Sequence, residues 1–595
     1  MKKQQSKLIL ISIVVLFLLS GYCSAQKTIS ERTYQHIHFL ADDSLKGRKP
    51  GTPECLTAAR YIRDNFKSYG LQLLADNGFQ YFNVVTEVNI GDNNSLSING
   101  NDLKINEDFT PLSFSGNGKL EAEAFFVGYG FDLKKDSLIW NDYKDLDVKG
   151  KWVVILRGDP DPDNRNSLFI PFSDERDKVL TAADKGASGV IFVSGVKVND
   201  KDELESIYYD KSESGAGIPV IQITRAKANL LLEDQNQTIE NLENKIITSH
   251  QPYSFIIPKI IKGETEVIPN RVRTQNVIAM IPGTDKTLQN EVIVVGAHYD
   301  HLGMGGPGSG SRVPDTIAVH NGADDNASGV AGILELARLL SQKKGGIKRS
   351  IVFISFSAEE LGLIGSKYFV DHPLPQGKKI VAMINLDMIG RFNYQTQELT
   401  IGGTGTSKEA LDILKDLGTV HHLNLLYSPD GYGPSDHASF YTKDIPVFFI
   451  TTGANEDYHT PADDADKINY PGTERIVKFL YDLVLNVADR PQDLTFQEAG
   501  PKGRSKYGYR FKVTLGIMPG FGESETPGLR VDGVHEGGPA FNGGMEKGDI
   551  IVAINGKPIS NIYDYMFWLK KLEPGQTITV DVIRDNKKKV LLIQL

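Results

Sequence analysis

The sequence predicts a doubly wound α/β sheet, mostly parallel at its centre, interrupted by a smaller α/β or β-rich module and followed by a small β-rich domain. Three observations carry this. Between Gln275 and about Ala488, apolar runs alternate with amphipathic helices. The runs "NVIAMI", "EVIVVGA", "SIVFISF", "KIVAMINLD" and "IPVFFITT" are nearly continuous in Val, Ile and Phe, as strands buried on both faces require. The intervening "GVAGILELARLL" and "SKEALDILKDLG" have helical spacing, so the order strand–helix–strand implies crossovers and a parallel sheet.

The elements before this region follow similar logic. "ERTYQHIHFLADDSLKGRKPGT" and "CLTAARYIRDNFKSYGL" read as two helices around a Gly/Pro turn, the second carrying Tyr61, Ile62, Phe66 and Leu71 on one face. Between about Lys119 and Lys259 the texture changes to short strand-like runs, "AFFVGYGF", "KWVVILRG" and "SGVIFVSG", separated by Asp- and Gly-rich turns, with one helix in "KVLTAADKGAS". No constellation of catalytic groups occurs there. After "ADRPQDLTFQEAGPKG", short strands restart and surround a helix in "NIYDYMFWLKKL", enough for an independent small domain. The expected partition is 1–25 a signal peptide, 26–115 with 265–490 the main domain, 116–264 the insertion, 491–506 a linker and 507–595 the last domain.

At 595 residues the chain is too long for one core, and its 40% hydrophobic and 24% charged content is ordinary for globular domains. A formal charge of -10 argues against a nucleic-acid partner. Lys2, Lys3 and Lys7 precede the apolar stretch from Leu8 to Leu19 and small residues ending at Ala25, the pattern of a secretory signal peptide. That stretch is shorter than the roughly 20 residues that span a bilayer, so no permanent membrane span is expected. The expected destination is periplasmic or extracellular. Cys23 offers lipid anchoring as an alternative, against which Tyr22 occupies a position where attachment signals want a small residue. Cleavage after Ala25 would leave Cys55 as the only cysteine and no internal disulfide.

In an open parallel sheet, ligands bind outside the carboxyl ends of the strands, so the residues following each strand carry the chemistry. "EVIVVGA" leads to His298, Tyr299 and Asp300, "SIVFISF" to Glu359 and Glu360, "KIVAMINL" to Asp387, and "IPVFFITT" to the loop bearing His459. Asp324 and Asp325 lie just before the helix that starts near Gly329. Taken singly, a His at a strand end is ordinarily a hydrogen-bonded loop residue, and an acidic pair before a helix is ordinarily a cap. Together, so many acids on one rim would repel each other unless a cation neutralised them. Mixed His and carboxylate donors suit zinc best, with manganese or cobalt as alternatives. Two zinc ions carry four positive charges, which three ligand carboxylates and one hydroxide would cancel, so the charge arithmetic favours two metals.

The successive motifs "GAHYDHLG", "GADDNASG", "SAEELGLIGS", "NLDMIGR" and "YHTPAD" resemble those of the co-catalytic zinc aminopeptidase family, relatives of secreted bacterial leucyl aminopeptidases, glutamate carboxypeptidase and glutaminyl cyclase. The resemblance covers roughly residues 275 to 490 and implies the zinc-exopeptidase, phosphorylase/hydrolase-like fold with two Zn2+ per chain. By position it implies that Asp325 bridges the zincs, His298 and Asp387 complete one site, Glu360 and His459 complete the other, and Glu359 is the general base. Asp300 matches the acid that orients a ligand histidine. Tyr432 matches a tyrosine that donates to the tetrahedral intermediate, while His301 and His437 read as supporting or structural residues.

The insertion, through "ADKGASGVIFV", resembles a protease-associated domain, which would shape substrate access. The last domain resembles a PDZ module, with Leu515, Gly516 and Ile517 of "LGIMPG" as a loop whose amides capture a peptide or protein C-terminus. The implied activity is hydrolysis of N-terminal residues from peptide substrates. A carboxypeptidase-like or glutaminyl-cyclase-like reaction on the same fold, or a catalytically dead peptide-binding scaffold, are the alternatives.

Overall fold

The computed structural model describes residues 27–595 except 136–137, 163, 165–166, 206, 208, 210–214, 501–512, 521–527, 535–536, 561 and 570. The signal-peptide and Cys23 readings therefore lie outside the described residues.

The main sheet is nine-stranded. Its strands are β1 (Gln72–Leu73), β2 (Phe79–Ile90), β3 (Val267–Ile281), β4 (Glu291–His298), β5 (Ser350–Phe356), β6 (Lys379–Leu386), β7 (Glu398–Gly402), β8 (Asn424–Tyr427) and β9 (Val447–Thr451). Spatially they run β1-β3-β5-β4-β6-β9-β7-β8, with β2 also paired to β3. The four central strands β5, β4, β6 and β9 are mutually parallel. β1, β2 and β3 join one side antiparallel, and β7 pairs antiparallel with β9 on the other. The expected parallel centre is present, and its carboxyl ends all open on one edge.

Alternate residues of the same strand serve different cores, which explains the near-continuous apolar runs. Ile293 and Val295 of β4, Ile351 and Phe353 of β5, and Ala382 and Ile384 of β6 face the larger core. Val292, Val294, Val352, Ile354 and Met383 face the smaller one. The larger core is roofed by helices α1 (Ile29–Leu40), α2 (Pro53–Ser68), α3 (Gly329–Ser341) and the long final helix Tyr470–Asp489, which packs on α1 and α3. Local sequence sets their starts. Thr28 and Glu31 form a capping box on α1, and Thr52 accepts the Cys55 amide on α2, with Pro53 in its first turn.

Among the described residues the second sheet has eight strands, ordered Asn101–Leu103, Ser95–Ile98, Ser254–Thr265, Gly118–Val127, Trp152–Leu156, Gly189–Val193, Val220–Ile223 and Phe109–Pro111. It differs from the expected junction at residue 115. The segments from Ser95 to Pro111 belong to this sheet because Leu96, Ile98 and Phe109 bury in its core and Ser95–Ile98 pairs with Ser254–Thr265. The expected linker also differs. Leu494 is buried in the main core, Phe496 forms a bridge with Ser407, and Gln497 N donates to Thr406 O, so the chain to at least residue 497 is bound to the main domain.

Among the described residues the last unit is a six-stranded sheet with its own core around Val531, Ile551, Val580 and Val582. Arg530 pairs with Glu398 of β7 at 2.8 Å, and Lys571 donates to the carbonyl of Pro162. No described helix is long and apolar enough to cross a membrane.

Candidate metal centre

β4 ends at His298, and the chain turns through Tyr299, Asp300 and His301 before leaving the sheet. β5 delivers Glu359 and Glu360 three and four residues past its end, and β6 delivers Asp387 in the next position. Asp325 comes from the irregular turn that precedes α3, and His459 from the loop after β9. Because the four strands are parallel, all these groups meet at one edge.

His298 Nε2 lies 3.2 Å from Asp325 Oδ1 and 3.6 Å from Asp387 Oδ1. His459 Nε2 lies 3.1 Å from Asp325 Oδ2 and 3.3 Å from Glu360 Oε2. Asp325 thus presents one oxygen to each histidine. Donors bonded to one tetrahedral zinc at about 2.0–2.1 Å stand roughly 3.3 Å from each other, so these spacings suit metal binding between Asp325 and its neighbours. Two sets, His298 with Asp325 and Asp387, and His301 with Asp325 and Glu360, converge within 4.8 Å. The donor chemistry and spacing fit zinc.

Burial disfavours the charged His298 and His459, yet the acids around them outweigh it and hold both imidazoles well above their ordinary pKa. Burial would also raise Asp325 and Glu360, but the histidines draw both below the usual carboxylate range. The carboxylates accordingly stay ionised as donors.

Glu359 behaves differently from its neighbour. Burial raises its pKa well above the ordinary value; His298 opposes this, while Glu360, Asp436 and Asp387 add to it. Its side chain makes no hydrogen bond or ion pair among the described residues. Its carboxyl therefore has a high affinity for a proton.

Supporting contacts fix these groups. His298 Nδ1 contacts the Asp300 carbonyl at 3.1 Å, with the Asp300 carboxylate at 3.8 Å. His459 Nδ1 meets the Gly310 carbonyl at 3.0 Å, which turns Nε2 toward the acids. Asp463, from the same loop as His459, accepts the amides of Asp324 and Asp325 at 3.0 to 3.1 Å. Asp324 points elsewhere, accepting from Gly390 N at 2.7 Å and Asn455 Nδ2 at 2.8 Å, and burial, with Asp463 beside it, lifts its pKa to about 8.

Several contributors escaped the sequence reading. Arg48 is fully buried, its guanidinium donating to Tyr299 O at 2.7 Å, Asn321 O at 2.7 Å, Gly322 O at 3.0 Å and also to Leu40 O. It clamps the main chain beside His298 to the chain entering the Asp324–Asp325 turn. Gly47, at φ +65°, makes the approach possible, since a Cβ there would stand 2.4 Å from Gly303 O. Tyr458 stacks on the His459 ring at 3.8 Å, and its phenol is raised far above its ordinary pKa by burial and by Asp325, Glu360, Glu359 and Asp387. Tyr432 instead packs, half-buried, against the smaller core that contains Phe440 and Tyr441. His437 is buried and stacked on Phe449 at 4.4 Å.

In the last unit Leu515 is buried, its carbonyl accepting from Ala540 N at 2.8 Å, and Ile517 opens the edge strand Ile517–Pro519. The Gly516 amide donates to Thr514 Oγ1 at 2.9 Å.

Peptidase family M28 matches residues 276–484, the PA domain matches 120–231 and the PDZ domain matches 508–595. The Escherichia coli (strain K12) protein YfbL is 31% identical over 224 residues, covering 33% of this chain and 67% of that protein. Aminopeptidase YwaD of Bacillus subtilis (strain 168) is 27% identical over 331 residues, covering 54% of this chain and 59% of the relative. The chain thus spans about two thirds or less of the length of these curated relatives. Among solved structures, an aminopeptidase from Aneurinibacillus sp. strain AM-1 is 25% identical over 79% of this chain and 96% of its own, with a TM-score of 0.49. BSAP, a zinc aminopeptidase from Bacillus subtilis, is 22% identical over 78% of this chain and 98% of its own, with a TM-score of 0.44. With His298, Asp325, Glu359, Glu360, Asp387 and His459 gathered at one sheet edge within the matched region, the chain belongs to peptidase family M28.

Proposed function

We propose that the protein is a zinc-dependent aminopeptidase that removes N-terminal residues from peptides. The observation that carries this reading is the sharing of Asp325 between two donor sets, with the unpaired carboxyl of Glu359 beside them. In this account His298, Asp325 and Asp387 would hold one zinc, and Asp325, Glu360 and His459 would hold the other. Bound zinc supplies Lewis acidity that polarises a carbonyl and brings the pKa of water to roughly 7.

The remaining work falls to the chain. Glu359 takes the proton of the attacking water on its carboxylate and returns it to the leaving amine nitrogen. Asp300 holds His298 in the tautomer whose Nε2 is free to donate its lone pair. The Tyr458 hydroxyl, kept protonated by burial and by the surrounding acids, is a donor for negative charge developing on the scissile oxygen; Tyr432, implied by the family motif, is the competing candidate. The acidic rim also favours a substrate bearing a free α-ammonium group.

The flanking units fit a substrate-shaping PA domain and a PDZ domain that captures a chain terminus at Leu515, Gly516 and Ile517 by strand addition. The amino-terminal pattern supports export to the periplasm or beyond, with Cys23 anchoring as the alternative. The domain partition is proposed as above, with the insertion enlarged to begin near Ser95 and the main domain extended to about residue 497.

A substrate panel on zinc-quantified full-length protein tests the reaction. Release of the first residue from free-amine peptides supports it; release from the carboxyl end, or cyclisation of N-terminal glutamine, assigns the fold to another chemistry.

A further inference from the structure

His459 has a backbone φ of +56°, in the left-handed region that residues other than glycine seldom occupy. Such a conformation persists only where the surroundings hold it. The loop around it is a run of tight turns: Tyr458 N donates to Asn455 O at 3.2 Å, Thr460 N to Asp457 O at 3.0 Å and Asp463 N to Thr460 O at 3.4 Å. These turns fix the shape of the loop. Its placement against the sheet needs contacts from outside.

Those contacts converge on Arg391, four residues past Asp387. Its Nη2 lies 2.9 Å from Asp457 Oδ2 and 3.4 Å from Asp463 Oδ1. Asp457 stands two residues before His459 and Asp463 four after it, and the two are 7% and 0% exposed. Lys467 Nζ takes the other Asp457 oxygen at 2.7 Å. The Arg391 amide donates to Thr452 Oγ1 at 3.3 Å, where the loop leaves β9.

We infer that Arg391 is a positioning residue for His459, pinning the loop at both flanks to the segment that leaves β6. This rests on the metal-dependent reading above. Asp463 extends the link, since the carboxylate that Arg391 meets also receives the amides of Asp324 and Asp325. One guanidinium therefore joins the three segments that supply Asp387, Asp325 and His459. The 3.1 Å approach of His459 Nε2 to Asp325 Oδ2 then depends on a cation that has no lone pair to offer a metal.

Two simpler roles make different predictions. Arg391 could serve only to neutralise buried acids: burial disfavours its charge, and Asp324, Asp463 and Asp457 outweigh that. A lysine would neutralise them equally well, whereas positioning needs the fixed geometry of a planar guanidinium. Arg391 could also serve stability alone. Arg349 provides the comparison, because it is likewise buried, with Glu291 at 2.7 Å and Asp493 at 3.1 Å, but lies at the amino ends of β4 and β5, the opposite edge of the sheet.

The test combines hydrogen exchange of the metal-free full-length protein with calorimetric zinc titration, for wild type, Arg391→Met, Arg391→Lys and Arg349→Met. In Arg391→Met the amides of residues 455–463 should exchange at least about tenfold faster. The zinc-binding step that Glu360→Ala removes should weaken by about 10- to 100-fold, as for a residue that orients a ligand. Arg391→Lys should fall between this variant and wild type, and it decides the question if Arg391→Met does not fold. Arg349→Met should lower the melting temperature with loop exchange and zinc affinity unchanged. Wild-type zinc affinity in the Arg391 variants, or an equal weakening in Arg349→Met, would overturn the inference and leave the proposed function standing. A wild-type protein that binds no zinc would overturn both.

Discussion

The carboxylate of Asp300 accepts the main-chain amide of Glu359 at 3.2 Å, and its second oxygen accepts that of Glu360 at 3.3 Å. One buried acid at the end of β4 thereby sets the turn that follows β5, while lying beside His298. The donor histidine and the two glutamates are positioned by the same group. Burial lifts the Asp300 carboxyl to about 6 despite the opposing charge of His298.

Asp300→Ala removes both acceptors and the acid beside His298. Zinc affinity is expected to fall about 10- to 100-fold, the usual cost of losing a group that supports metal ligands. Titration with a competing chelator measures it.

Glu359 and Glu360 should separate cleanly. Glu359→Gln is expected to lower turnover by about 10²- to 10⁴-fold with zinc content unchanged, because only the proton acceptor is lost. Glu360→Ala should lose zinc from the position it shares with His459. Elemental analysis alongside single-turnover kinetics distinguishes the two.

Arg48→Met exchanges a buried guanidinium for an apolar chain and strips hydrogen bonds from four carbonyls. Each unsatisfied buried acceptor costs on the order of 1 kcal/mol or more, so a total loss of roughly 3 kcal/mol or more is expected in urea unfolding. Metal affinity should fall with it, since Tyr299 and Gly322 flank the donors.

Asp142 in the second unit supplies a pH signature away from the metal centre. Burial is the main cause that raises its carboxyl from 3.8 to about 7, while the Phe131 amide at 3.0 Å and nearby Lys178 pull the other way. The folded state therefore binds a proton that the unfolded state has released. Its contribution is fully present below about pH 4 and is lost as pH rises to about 7, by roughly 4 kcal/mol if the whole shift is expressed. Lys178 acts in a higher window. Burial lowers its pKa to about 8, so stability rises again between about pH 8 and 10.5. Asp142→Asn should flatten the fall between pH 4 and 7 in thermal melts.

The candidate edge was legible in the sequence because β4, β5, β6 and β9 each announce themselves as apolar runs, and a His, Glu or Asp stands at the strand end or in the loop that follows it. Chain order alone then places those residues together. What is contributed sideways was less legible. Arg48 acts from a turn far earlier in the chain, and nothing in "LKGRKPGT" signals that its cation ends among four carbonyls. Asp463 reads as a loop acid, and only folding brings it under the amides of Asp324 and Asp325. His301 looked like a supporting residue because its spacing from His298 does not reveal that it turns toward Glu360. Ser95–Ile98 is too short to declare which sheet it joins; its partner, Ser254–Thr265, lies far along the chain. Tyr458 and Tyr432 differ by tertiary placement, one stacked on a histidine and the other packed in a core.

The most direct test of the central claim follows cleavage of one peptide with a free amino terminus and its N-acetylated twin by full-length protein, before chelation, after it, and after zinc is restored. The account predicts stepwise loss of residues from the free amino terminus, none from the acetylated peptide, abolition by the chelator and recovery with zinc. Equal cleavage of both peptides, or activity that survives complete removal of zinc, would contradict it.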